Sequence, residues 1–123
     1  MKKNPKLLLN KAFFGKNTCF KLLLNSDKEV YFHMGINQNN KGWNWKRCKM
    51  SDVELGEIIW TINQEQSNCS FFHSFGDDKT QIWCRKDKKS FSIKIDNVSK
   101  SFQIGETQVL KLLLETCIKK QNA

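Results

Sequence analysis

The residues best equipped for chemistry lie between Gly42 and Ile59, "GWNWKRCKMSDVELGEII", where two tryptophans one residue apart run directly into a lysine and an arginine. Counted by twos, as a strand would set them, Trp43, Trp45, Arg47 and Lys49 share one face, while Asn44, Lys46, Cys48 and Met50 share the other. A core face would not hold unpaired cations in register with indoles, because burying such a charge is strongly unfavourable. The grouping therefore belongs on solvent or on a partner. It recurs in "QIWCRK", where Gln81, Trp83 and Arg85 oppose Ile82 and Cys84. Flat rings beside cations suit single-stranded nucleic acid, since bases stack on aromatics for ~1–3 kcal/mol each while nearby cations neutralise phosphates. Tryptophan beside arginine marks protein interfaces equally well, so for Trp43, Trp45 and Trp83 both readings stand.

Other chemistries find little purchase. His33 and His73 are the only histidines, and the chain has no Gly-rich phosphate loop, HExxH spacing or paired-carboxylate motif, so no enzyme is expected. Asp77 and Asp78 follow Gly76 and read as a turn. The five cysteines, at 19, 48, 69, 84 and 117, lack the close pairs of zinc sites and are odd in number for a disulfide framework. They read as small buried hydrophobes in a reducing compartment, with no metal or cofactor expected.

With 123 residues, a net charge of +9 and a pI near 9.4, the chain is long enough for one core and calls for a polyanionic partner. No run approaches the ~20 apolar residues of a membrane span, and "MKKNPKLLLNKAFF" does not read as a signal peptide, so an intracellular protein without a membrane partner is expected. A basic segment over residues 1–10 precedes a single domain over 11–123.

The elements that must position these side chains follow from periodicity. "KLLLNKAFF" and "TCFKLLLN" flank the turn "GKN" as a hairpin, and "EVYFHMGIN" alternates, with Val30, Phe32, Met34 and Ile36 opposite Tyr31, His33 and Asn37. "WNWKRCKM" makes a fourth strand. Ser51 with Glu54 three residues on is a capping box, opening a helix that carries Leu55, Ile58, Ile59 and Ile62. Trp60 in this helix is expected to pack on a sheet. "SNCSFFHSF", "QIWCRK", "SFSIKI" and "KSFQI" form a second set of strands, with turns at "GDDKT" and "DNVS". Phe71 and Phe72 must point to opposite faces, one of them to the core. Gly105 opens a second helix bearing Val109, Leu110, Leu113, Leu114, Cys117 and Ile118. The fold class is α+β: two antiparallel four-stranded sheets and two helices, ββββα twice. Neither helix carries the basic face that duplex recognition wants.

Three stretches in this order, Trp43-Asn44-Trp45-Lys46-Arg47, Ser51-Asp52-Val53-Glu54-Leu55-Gly56 and Ser70-Phe71-Phe72-His73, resemble the Whirly family of single-stranded DNA-binding proteins, over about residues 12 to 120. Gly15 and Lys16 match the family's Lys-Gly-Lys loop in part. The resemblance implies a ββββα unit used twice and a pinwheel homotetramer with helices central, a single strand lying along the outward sheets. The residues themselves read the same way, with Trp43, Trp45, Trp83, Tyr31 and Phe71 against bases, Lys16, Lys46, Arg47, Arg85 and Lys94 against phosphates, and His33 a further candidate contact. Mitochondrial RNA-binding proteins of kinetoplastids share this fold, so the strand is DNA or RNA, with DNA ahead and a role in DNA maintenance expected. The other reading is a structural or protein-interaction subunit of a larger ribonucleoprotein or viral assembly.

Overall fold

The computed structural model describes residues 4–123. Eight strands and two helices follow the order β1 (Leu7–Phe14), β2 (Thr18–Asn25), β3 (Val30–Asn37), β4 (Trp43–Met50), α1 (Asp52–Ile62), β5 (Ser67–Phe75), β6 (Asp78–Lys86), β7 (Phe91–Ile95), β8 (Val98–Phe102) and α2 (Ile104–Gln121). They form two antiparallel meanders, β1-β2-β3-β4 and β5-β6-β7-β8, each followed by a helix, as the alternating pattern predicts. β1 begins at Leu7, inside the basic segment drawn to residue 10, because Leu7 pairs with Asn25 and the Ser26 N–H donates to the Lys6 carbonyl. Residues 1–3 of that segment lie outside the described residues.

Phenylalanine builds the junction between the sheets. Phe102 on β8 meets Phe20 on β2 edge-on, with ring centroids 5.5 Å apart and planes at 90°, and meets Phe13 on β1 at 5.3 Å and 85°. Phe32 and Phe91 extend the cluster, all within the favoured range for edge-to-face and offset rings. Alternation explains the choice: β2 sends Phe20, Leu22 and Leu24 inward, and β8 sends Val98, Lys100 and Phe102. Lys100 is the exception in chemistry. Its buried ammonium lies over the Phe102 ring and reaches the Glu106 carboxylate at 3.3 Å, which compensates a charge otherwise costly to bury.

The capping box of α1 is formed: the Glu54 N–H donates to Ser51 Oγ, and the Ser51 N–H donates to Glu54 Oε1. The other Glu54 oxygen meets His73 Nε2 on β5 at 2.6 Å, so one carboxylate caps the helix and ties it to the second sheet. Two helix expectations change. Trp60 is 61% exposed and does not pack on a sheet, because the buried stripe of α1 runs through Leu55, Ile58 and Ile62 and leaves position 60 on the far side. α2 opens at Gln103, whose N–H donates to the Glu106 carboxylate at 3.0 Å, in place of the expected start at Gly105. Its buried stripe is Thr107, Leu110, Leu114 and Cys117, so Val109 stands exposed.

Truncation of Phe102 to alanine should therefore loosen both sheets at once. A loss of about 3–5 kcal/mol is expected from the buried aromatic and the cavity left behind, read as a lowered urea midpoint with the slope preserved.

Candidate nucleic-acid interface

The outward face of the first sheet is built across β2, β3 and β4. Register sets Lys21 opposite His33 and His33 opposite Arg47, with Cys19, Gly35 and Trp45 one row along and Tyr31 opposite Lys49. Gly35 is the residue that lets this row close. A Cβ at position 35 would lie 2.7 Å from the Trp45 ring, so only glycine allows the indole to lie flat on the strand. Trp45 so placed stacks with Trp43 at 5.6 Å and 22°, meets His33 at 6.4 Å, and receives Lys21 Nζ 4.7 Å from its centroid. Tyr31 continues the row, 6.4 Å from His33, and its hydroxyl donates to Glu29 Oε2 at 3.3 Å. Four rings thus form one platform, Tyr31–His33–Trp45–Trp43, with Arg47 and Lys21 beside it.

His33 takes its place as a ring and not as a charge. Burial, then the neighbouring Arg47 and Lys21 cations, depress it to about 4, so it is neutral near pH 7. Lys16 occupies the β1–β2 turn, exposed, at the Trp43 end of the sheet, because the Asn37 N–H donates to the Asn17 carbonyl and Asn37 pairs with Trp43.

The second sheet presents a matching face. Trp83 is half exposed and lies opposite Lys94, whose ammonium sits 5.4 Å from its ring. Arg85 is exposed and contacts Asp87 at 3.3 Å, a pairing that water weakens. Phe71 does not belong here. It is paired with Ile82 and packs against the core, whereas Phe72, opposite Gln81, is the exposed ring on the Trp83 side. The cause is phase: Cys69 and Phe71 follow Cys84 and Ile82 inward, which turns Phe72 out. Lys46 is also placed differently from a free phosphate ligand. It points away from Trp45, toward the second sheet, and pairs with Asp96 at 3.1 Å.

That ion pair sits where the two faces approach. Trp45, Lys46 and Arg47 line one wall of a cleft, and Asp78, Lys79, Thr80 and Asp96 the other. A neighbouring hollow of about 600 Å³ runs from Arg47 and Lys49 to His73, Ser74 and Phe75, the last 88% exposed. Sequence reading overlooked Lys21, Gly35 and Phe75, and of the Phe71 and Phe72 pair it named Phe71 as the contact. The alternation of Phe20, Leu22 and Leu24 would have placed Lys21 outward, but the close approach of Trp45 to Gly35 needs the register of β3 on β4. Among the described residues no group of three or more His, Cys, Asp or Glu side chains is placed to hold a metal ion, and no helix is long and apolar enough to cross a membrane.

The architecture defines a class, the doubled ββββα unit with two outward aromatic and basic sheet faces. No protein-family model and no curated protein sequence matches the chain. Solved structures do. WHY3 from Arabidopsis thaliana superposes with a TM-score of 0.74 at 11% identity, covering 98% of this chain and 92% of its own. The plant transcriptional regulator PBF-2 gives 0.68 at 13% identity, covering 97% and 93%, and WHY1 from Arabidopsis thaliana gives 0.67 at 10%, covering 92% and 90%. The chain has the fold of the Whirly proteins over nearly its whole length.

The depressed His33 has a consequence for stability. The unfolded chain takes a proton on His33 near 6.5, while the folded platform stays neutral until about 4. Stability should therefore fall as pH drops between those values. Urea midpoints measured across this range should decline less steeply in His33→Gln than in the parent.

Proposed function

We propose that the protein binds single-stranded nucleic acid along its two outward sheet faces, largely without regard to sequence, with DNA preferred over RNA. The observation that carries this reading is the platform of Tyr31, His33, Trp45 and Trp43 with Lys21 over Trp45, repeated more sparsely by Trp83 and Lys94. Bases stack on such rings whatever their identity, and the flanking Lys16, Arg47, Arg85 and Lys94 neutralise the phosphates. The net charge of +9 supports the same partner. So does the fold, which it shares with a protein described as a plant transcriptional regulator. The cleft between Arg47 and Lys79 offers the strand a passage from one sheet to the other. Lys46 then acts indirectly, by fixing the angle of the two faces through Asp96.

The role is binding without catalysis, inside a reducing compartment. A homotetramer is part of the proposal, supported by the apolar side chains that the helices expose: Val53 and Trp60 on α1, Val109 and Leu112 on α2. These lie on the side opposite the helices' buried stripes and so leave the sheet faces free for the strand. The competing assignment, a structural subunit of a larger assembly, uses the same tryptophans to grip protein.

Anisotropy of a labelled mixed-sequence strand separates the two. Binding should exceed that of the matching duplex and fall with salt by ~0.7 log units per log unit of salt for each phosphate engaged. Trp45→Ala and Trp83→Ala should each weaken it roughly 5- to 150-fold, the equivalent of ~1–3 kcal/mol of stacking. Arg47→Ala should also flatten the salt slope. Equal affinity for duplex, or none at all, would assign these faces to a protein partner. For the assembly, light scattering should report a tetramer that Trp60→Glu reduces to smaller species without changing the far-ultraviolet circular dichroism.

A further inference from the structure

Outside the proposed interface, two thiols face each other. Cys69 on β5 and Cys84 on β6 are directly opposed in the antiparallel register, between the pairs Asn68 with Arg85 and Ser70 with Trp83. Directly opposed residues in such a ladder have Cα atoms ~4.5–5.5 Å apart, inside the ~4.4–6.8 Å range of disulfides. Both side chains point to the inward side of the sheet, with Phe71 and Ile82. β5 is an edge strand, and Cys69 on it is only partly buried, at the margin of the core, whereas Cys84 is 1% exposed.

We propose that Cys69 and Cys84 form a peroxide-reactive dithiol that closes to a disulfide across the β5–β6 hairpin. Cys69 is the attacking thiol and Cys84 the resolving one. Exposure alone assigns these roles, and the electrostatics agree. The facing Cys84 thiol is the main influence that brings Cys69 down, to about 7, against burial and the Glu57 carboxylate. Cys84 is raised by the same thiol pairing and by burial. The remaining cysteines are disqualified on both counts: Cys48 and Cys117 are buried and pushed up to about 11, and Cys19 is buried and raised.

The chemistry balances with hydrogen peroxide as the oxidant. The Cys69 thiolate attacks one peroxide oxygen, the O–O bond breaks, and the departing hydroxide takes up a proton to become water, leaving a sulfenic acid on Cys69. The Cys84 sulfur then attacks the Cys69 sulfur, and its proton leaves with the sulfenic hydroxyl as a second water. Two thiols lose two electrons to one peroxide. The product spans the row next to Ser70 and Trp83, so oxidation would brace the part of the second sheet that carries the Trp83 indole. It also keeps Cys69 from the irreversible sulfinic state.

The reduced, folded 123-residue chain, treated with hydrogen peroxide and mapped by peptide mass spectrometry, tests this without any nucleic acid. One linkage is expected, Cys69 to Cys84, with the intact mass reduced by two hydrogens and the thermal midpoint raised by several degrees. Cys84→Ser should instead accumulate a dimedone-reactive sulfenic acid at Cys69. Cys69→Ser should form no linkage. A wild-type map in which Cys69 stays reduced, or in which linkages to Cys19, Cys48 or Cys117 are as abundant, overturns the proposal, and this holds even if a variant fails to fold.

Discussion

The edge-on contact of Phe102 with Phe20 and Phe13 is the interaction on which the rest of the molecule depends. Each sheet is a meander with one apolar face, and neither can bury that face alone. Joining them through rings on β1, β2 and β8 gives both a common interior and leaves both opposite faces outward. The helices complete the burial with narrow stripes, Leu55, Ile58 and Ile62 on α1 and Leu110, Leu114 and Cys117 on α2. A sheet face without core duty is free to carry indoles and cations, and both sheets do so.

The platform on the first sheet shows how little sequence is needed to organise an aromatic and basic face once the register is fixed. Gly35 contributes no side chain, and its value lies in what it permits. The indole of Trp45 fills the space where a Cβ would stand, and Trp43, His33 and Lys21 arrange themselves around it. Pre-placed rings lose little freedom on binding, which favours affinity for any flat partner. The neutral state of His33 belongs to the same arrangement, since the packed rings take its imidazole out of water and the flanking Arg47 and Lys21 cations further disfavour a charge there.

Much of this was legible in the sequence because period-two alternation is a direct image of which side a residue takes. Trp43, Trp45 and Arg47 separate from Cys48 and Met50 by counting alone, and Ser51 with Glu54 announces α1. What alternation does not supply is phase in a run without contrast. Phe71 and Phe72 are identical in kind, and only the pairing of Cys69 with Cys84 and Phe71 with Ile82 decides between them. Lys46 illustrates a different limit. Its face was readable, but its partner Asp96 lies fifty residues away, in a turn whose placement against β4 is purely tertiary. Trp60 was placeable by counting too, since helical spacing sets it opposite Leu55, Ile58 and Ile62.

The core is built from phenylalanine, aliphatic residues, methionine and cysteine, and none of the four tryptophans enters it. The intrinsic emission of this protein is therefore a property of its surfaces. Trp43, Trp45 and Trp83 report on the two sheet faces, and Trp60 on the exposed side of the helices. Spectral shifts that in most small domains signal unfolding would here register contact, and a core could soften considerably before the indoles changed colour.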